Sequence, residues 1–112
     1  MNQRDIRFAK VMFSNNSGSK IRPVLVISNK NHNNSMRDVL CCPITSNPAN
    51  LPGTLELRIG DFEDGKLNIS SRVKVTQVVA LAKEELGNQI ATITRARAIN
   101  ILNRLNNAII ID

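Results

Sequence analysis

Arg22 and Thr45 are the residues of this 112-residue sequence best suited to chemistry. Arg22 opens the β-type run Ile21-Arg22-Pro23-Val24-Leu25-Val26-Ile27-Ser28. Thr45 closes a second run, Val39-Leu40-Cys41-Cys42-Pro43-Ile44-Thr45-Ser46. If the runs pair antiparallel through the polar span between them, the start of one lies beside the end of the other. A cation that never deprotonates then meets a hydroxyl, although 23 positions separate them. That pair is a plausible holder of a phosphate group.

What the chain lacks narrows the chemistry further. It has no pair of histidines, no CxxC and no acidic cluster at metal-ligand spacing, so neither a metal nor another cofactor is expected. The acidic stretch with Asp61, Glu63 and Asp64 fits no calcium loop. No glycine-rich phosphate loop precedes a Lys-Ser/Thr pair. His32, the single histidine, has the right pKa range for a general base, but a lone histidine among asparagines is more often solvent-exposed and idle. A Ser-His-Asp triad would need a fixed acid beside it, which the sequence does not suggest. Chemistry that runs on arginine, hydroxyls and amides is left. Cleavage of RNA by its own 2′-hydroxyl is such a reaction: the substrate brings the nucleophile, and the protein must align the backbone and stabilise a charged phosphorane.

The elements that must position these groups read as short strands and one helix. Residues 6–12 form a strand, with one break in alternation that suggests a bulge. Ser14 to Ser19 is a loop able to cover a ligand. Pro23 biases Arg22 toward extended backbone, and Val24 to Ile27 suits a strand buried on both faces. Asn29 to Ser35 is a turn region. Val39 to Ile44 and Thr54 to Ile59 are strands, Gly60 to Lys66 is an acidic turn, and Leu67 to Ile69 is a short strand. Val73 to Leu81 is strand-like with Gln77 near its middle. Lys83 to Leu86 reads as one helical turn stopped by Gly87, and Gln89 to Thr92 as a last strand. Thr94 caps a helix over about 95–108, whose stripe of Ile99, Leu102, Leu105 and Ile109 should pack on the sheet. Arg95 and Arg97 oppose the dipole in its first turn, which suggests a negatively charged neighbour in a partner chain or nucleic acid. The terminal Ile109-Ile110-Ile111 should be covered by the core or another subunit. Five or six short strands and one helix point to a small antiparallel sheet or barrel, a single domain over 1–112.

Composition agrees with a phosphate-bearing partner. The net charge is +6 and the pI near 10. Residues 1–45 carry seven Lys/Arg against two acids, residues 46–85 five against six, and residues 86–112 three against one. The basic excess therefore sits in the half that holds Arg22 and Thr45. With three Phe and no Trp or Tyr, base stacking on aromatic platforms is scarcely available. Cys41 and Cys42 are adjacent, so on a strand one should face the core and one the surface. They form no disulfide framework. With no signal-peptide run and no apolar stretch of about 18 residues, a soluble cytoplasmic protein is expected.

The two runs, in this order and followed by Ser71-Arg72-Val73-Lys74-Val75-Thr76-Gln77, resemble the PemK/MazF/Kid family of type II toxins over nearly the whole chain. The resemblance implies a mainly β, SH3-like small barrel of antiparallel strands with a C-terminal helix. It also implies a homodimer, a metal-independent and sequence-selective endoribonuclease acting on single-stranded RNA, and a cognate antitoxin whose acidic tail covers the RNA groove. The family's catalytic arginine and threonine match Arg22 and Thr45. Ser19, Ser46 and Gln77 lie where family members contact RNA, and Lys20 joins them as an RNA-binding candidate. The family usually has glycine where Arg4 stands before Asp5-Ile6; if that position needs a positive φ, Arg4 is strained. Two other functions fit such a barrel. One is a gyrase poison of the CcdB kind, disfavoured by the lack of a C-terminal Trp. The other is a catalytically silent barrel that binds RNA or a partner.

Overall fold

The computed structural model describes residues 1–12, 18–47 and 49–112. The expected loop over Ser14 to Ser19 lies, as far as residue 17, outside the described residues. Eight strands and two helices follow in the order β1 (Asp5–Met12), β2 (Ser19–Val26), α1 (Lys30–Ser35), β3 (Asp38–Thr45), β4 (Thr54–Leu57), β5 (Phe62–Gly65), β6 (Ser71–Lys74), β7 (Val79–Ala82), β8 (Leu86–Ile93) and α2 (Arg95–Ile109). Every strand pairing is antiparallel, along the path β4-β6-β3-β2-β1-β8-β5. β7 pairs with β3 at Asp38–Cys41, while β6 takes Ile44 and Thr45. Three nearly equal extents, 34 × 32 × 32 Å, show a sheet bent around its core. The path does not close: among the described residues β4 and β5 end it without pairing to each other.

The β2–β3 ladder is the centre of the fold because both of its faces are covered. One core gathers Leu25, Cys42, Ile44, Val73 and Ile93 under Ile101 of α2. The other gathers Ala9, Val24, Val26, Val39 and Cys41, with Val79, Leu81 and Leu86 packed against it. Continuous apolar runs are what a doubly covered strand requires. This arrangement corrects the expectation for the cysteines. They do point to opposite faces, but each face is a core, and both are fully buried and free. Burial pushes both thiols up to about 12, with the Cys42 charge adding to the rise at Cys41.

Other local differences have equally simple causes. Asn29 to Ser35 is a helix rather than a turn, because the Asn29 side chain accepts from the His32 N–H at 3.0 Å and caps it. The acidic span expected as a turn holds β5, which pairs with β8. Gly65 permits this: at φ +68°, a Cβ there would collide with the Ile90 carbonyl and Ala91 Cα. Leu67–Ile69 is not a strand, and the single run expected from Val73 to Leu81 breaks into β6 and β7 at a turn over Val75 and Thr76, closed by the Gln77 N–H on the Lys74 carbonyl at 3.2 Å. The bulge in β1 is present as register shifts against β8 around Arg7. Helix α2 begins as expected, with the Thr94 hydroxyl accepting from the Arg97 N–H at 3.2 Å. Its buried residue is Ile101, and Ala98, Leu102 and Leu105 pack beside it. Ile99 is exposed instead, as are Ile109, Ile110 and Ile111. The negative neighbour of Arg97 is internal: Asp61 at 3.5 Å, together with the Glu56 carbonyl.

Candidate active site at the end of the β2–β3 ladder

The β2–β3 register bears on where the two candidate residues stand. Val24 pairs with Pro43, Leu25 with Cys42 and Val26 with Cys41. The ladder ends at Val24 and Pro43; its register extended by two residues would put Arg22 across from Thr45. Directly opposed residues of an antiparallel pair project on the same face. The row extends on both sides. Ala9 pairs with Arg22, Thr45 with Arg72 and Arg72 with Glu56. The row carries the Thr45 hydroxyl beside Arg72, with Arg22 two residues past the last β2–β3 pair.

Thr45 is nearly buried at 8% exposure, and its Oγ1 accepts from the Asn47 N–H at 3.1 Å. One lone pair of the hydroxyl is thereby occupied, and its O–H remains available to donate. Arg22 is half-buried and makes no ion pair with a carboxylate among the described residues. An ordinary surface ion pair therefore does not account for it.

A groove of about 290 Å³ wraps this end of the ladder. Its walls are apolar at Phe8, Ile21, Ile69 and Ile90. Its cations are Lys20, Arg22 and Lys66, and no acidic side chain lines it among the described residues. Ser46 also lines it. The groove brings Lys20, Arg22 and Ser46 together; Thr45, between Ile44 and Ser46 in sequence, is not among its lining residues. Ser19 begins β2 opposite Met12. Gln77 sits on the exposed turn between β6 and β7, outside the groove walls. Lys66 and Asn68 are wall residues that the sequence did not single out. Their only signal was position in a basic and polar connection after the acidic span.

His32 occupies the other end of the ladder. It lies in α1, after Val26, and its Nε2 is 3.2 Å from the Asp38 carbonyl. From Arg22 to Val26 alone the strand rises about 13 Å. No group of three or more His, Cys, Asp or Glu side chains among the described residues is placed to hold a metal ion.

Residues 2–109 match the family of PemK-like, MazF-like toxins of type II toxin–antitoxin systems. The chain belongs to that family. No curated protein matches it in sequence. Among solved structures it is similar to the Mycobacterium tuberculosis toxin MazF-mt6, with a TM-score of 0.74 and 22% identity over 97% of this chain and 99% of that one. It is also similar to a chain of a MazE–MazF crystal structure from Deinococcus radiodurans, with a TM-score of 0.78 and 16% identity over 100% and 97%. An endoribonuclease in complex with its cognate antitoxin from Mycobacterial species gives 0.65 and 21% over 96% and 91%. At these identities the likeness is one of fold, and this toxin shares it across its whole length. No helix among its described residues is long and apolar enough to cross a membrane.

Proposed function

We propose that this toxin is an endoribonuclease that cuts single-stranded messenger RNA by 2′-hydroxyl attack, without a metal ion and with sequence selectivity, and so blocks translation. What supports the reading is the β2–β3 register, which extended by two residues puts Arg22 across from Thr45, and a groove that Arg22 lines with two other cations and no carboxylate among the described residues. In the reaction the 2′-oxygen bonds to phosphorus and the bond to the 5′-oxygen breaks. The Arg22 guanidinium faces the extra charge of the phosphorane, and the Thr45 O–H donates to a non-bridging oxygen. Lys20, Ser19, Ser46 and Gln77 would hold the flanking nucleotides. His32 lies at the other end of the ladder from Arg22, so the 2′ proton passes to solvent and solvent returns a proton to the departing 5′-oxygen.

The same groove suits a peptide that is both acidic and apolar. Its carboxylates would meet Lys20, Arg22 and Lys66, and its apolar side chains Phe8 and Ile21. A cognate antitoxin tail of this kind would occupy the RNA site directly. The exposed Ile99 and Ile109–Ile111 offer a second copy of the chain an apolar surface, in keeping with a cytoplasmic homodimer.

The test is incubation of the purified toxin with a long single-stranded RNA in EDTA. Discrete fragments ending in a 2′,3′-cyclic phosphate and a 5′-hydroxyl are expected from the wild type and His32→Ala. Arg22→Ala and Thr45→Ala should lose them. Tight binding of RNA that stays intact would overturn the nuclease reading in favour of a binding barrel.

A further inference from the structure

Arg72 stands next to Thr45 in the transverse row, yet its guanidinium is committed elsewhere. Nε donates to Thr54 Oγ1 at 2.9 Å, and Nη2 donates to Asn50 Oδ1 at 2.8 Å. Both partners belong to the segment that leaves Thr45 and returns as β4. That segment is bonded step by step. The Asn47 N–H reaches Thr45 Oγ1 at 3.1 Å, and Asn47 Oδ1 accepts from the Ala49 N–H at 3.0 Å. The Leu51 N–H reaches the Ala49 carbonyl at 2.9 Å, and the Thr54 hydroxyl donates to the Leu51 carbonyl at 2.7 Å. The relay ends at Arg72, which is paired by backbone to Thr45 itself. A planar fork with fixed donor directions can tie two acceptors at once, which an ammonium cannot do in the same geometry.

We propose that Arg72 is a positioning residue for Thr45. Its fork fixes the connection between β3 and β4, so the Asn47 amide stays on the Thr45 oxygen and the hydroxyl hydrogen is aimed outward as a donor. This assignment rests on the catalytic reading of Thr45 given above. With Nε and Nη2 engaged on Thr54 and Asn50, Arg72 acts in this proposal through the connection rather than on the phosphate.

Two measurements test it. In steady-state cleavage of a short RNA, Arg72→Ala should lower kcat roughly tenfold to a hundredfold with KM nearly unchanged, because a misaimed donor weakens the transition state more than the bound substrate. Asn50→Ala should give part of the same loss without removing the arginine. In a Thr45→Ala background, Arg72→Ala should cost nothing further; losses that multiply would overturn the proposal. Amide hydrogen exchange gives a readout without RNA. Arg72→Ala and Asn50→Ala should each strip protection from the Asn47 N–H while leaving the Leu25 and Val26 amides protected. Unchanged protection at Asn47 would overturn the proposal even in an active nuclease. If the wild type cuts no RNA, the catalytic reading fails, and the exchange experiment still decides whether Arg72 holds the connection. If Arg72→Ala does not fold, Asn50→Ala carries both arms.

Discussion

The two ends of the β2–β3 ladder are built on opposite terms. At the end where α1 crosses, polar groups are buried and bonded to each other. Asn33 is 2% exposed; its amide donates to the Ser28 carbonyl at 2.9 Å, and its Oδ1 accepts from the Ser28 hydroxyl. That hydroxyl in turn accepts from the Leu40 N–H at 2.9 Å. Arg4 joins the same end, its N–H on the Val26 carbonyl at 2.9 Å. At the other end Arg22 faces a groove without a carboxylate among the described residues, and a hydroxyl waits with its hydrogen unassigned. The closed end pairs the polar groups of Ser28 and Asn33 that it buries. The open end relies on the β2–β3 register, which extended by two residues brings two functional groups across from each other. A shift of one residue would turn Thr45 to the other face and end the pairing.

Mutations should separate the two ends. The largest effect belongs to the open end: Arg22→Ala should cost about 10²–10³ in kcat, the usual toll for a lost charge-stabilising donor. Its unfolding free energy should stay within about 0.5 kcal/mol of the wild type, since it is a half-buried rim residue. A collapse in stability would mean that Arg22 belongs to the fold after all. The reverse is expected at the closed end. Asn33→Ala strands the buried Ser28 carbonyl and hydroxyl and should lower stability by roughly 2–4 kcal/mol in urea unfolding. Cleavage per folded molecule should survive.

A smaller and more pointed contrast comes from Arg4, which has φ +80° and donates to the Ile93 carbonyl at 2.9 Å and to Glu63 at 3.1 Å. Arg4→Ala keeps the strained backbone and loses the bonds, whereas Arg4→Gly relieves the strain. The glycine variant should therefore be the more stable of the two by about 1 kcal/mol, against the usual order. Equal stabilities would show that the left-handed conformation costs nothing here. The smallest effect concerns Arg37 and Glu84, an exposed pair at 2.7 Å beside the start of β3. The hydrogen bond from Arg37 holds the Glu84 carboxyl below its usual range. Its stabilisation is present above the ordinary carboxylate pKa and disappears as the pH falls through the lowered one. Glu84→Gln should thus slightly flatten the acid side of the stability profile and leave the neutral region almost unchanged.

How much of this could be read from the sequence depended on whether neighbours along the chain decided the outcome. The antiparallel pairing of the two runs that Arg22 and Thr45 end was legible because continuous apolar runs fix their own pairing. The Thr94 cap and the limits of α2 were legible for the same local reason. The strain at Arg4 followed from a residue standing in a glycine's place. The cysteines were misread because alternation reports two faces but not what covers them. β5 was hidden because Glu63 and Asp64, like Asp61 just before them, have turn chemistry, while the contact that makes a strand of Phe62–Gly65 is with β8, almost thirty positions on. Ile99 and Ile109 fit the helical period but lie beyond the arc that Ile101 centres on the core. Arg72 looked like one member of a motif, because its partners Asn50 and Thr54 lie 22 and 18 positions upstream.

The two buried thiols have a consequence for how such a toxin meets stress. Vicinal cysteines on an open strand would be an oxidation site, and oxidation proceeds through the thiolate. Cys41 and Cys42, held at about 12 on opposite sides of the sheet, carry almost no thiolate at neutral pH and share no solvent. Peroxide or glutathione disulfide thus meets no accessible thiolate at Cys41 or Cys42 while the sheet stays folded. Burial shields these two thiols from the redox state of the surroundings for as long as the fold holds.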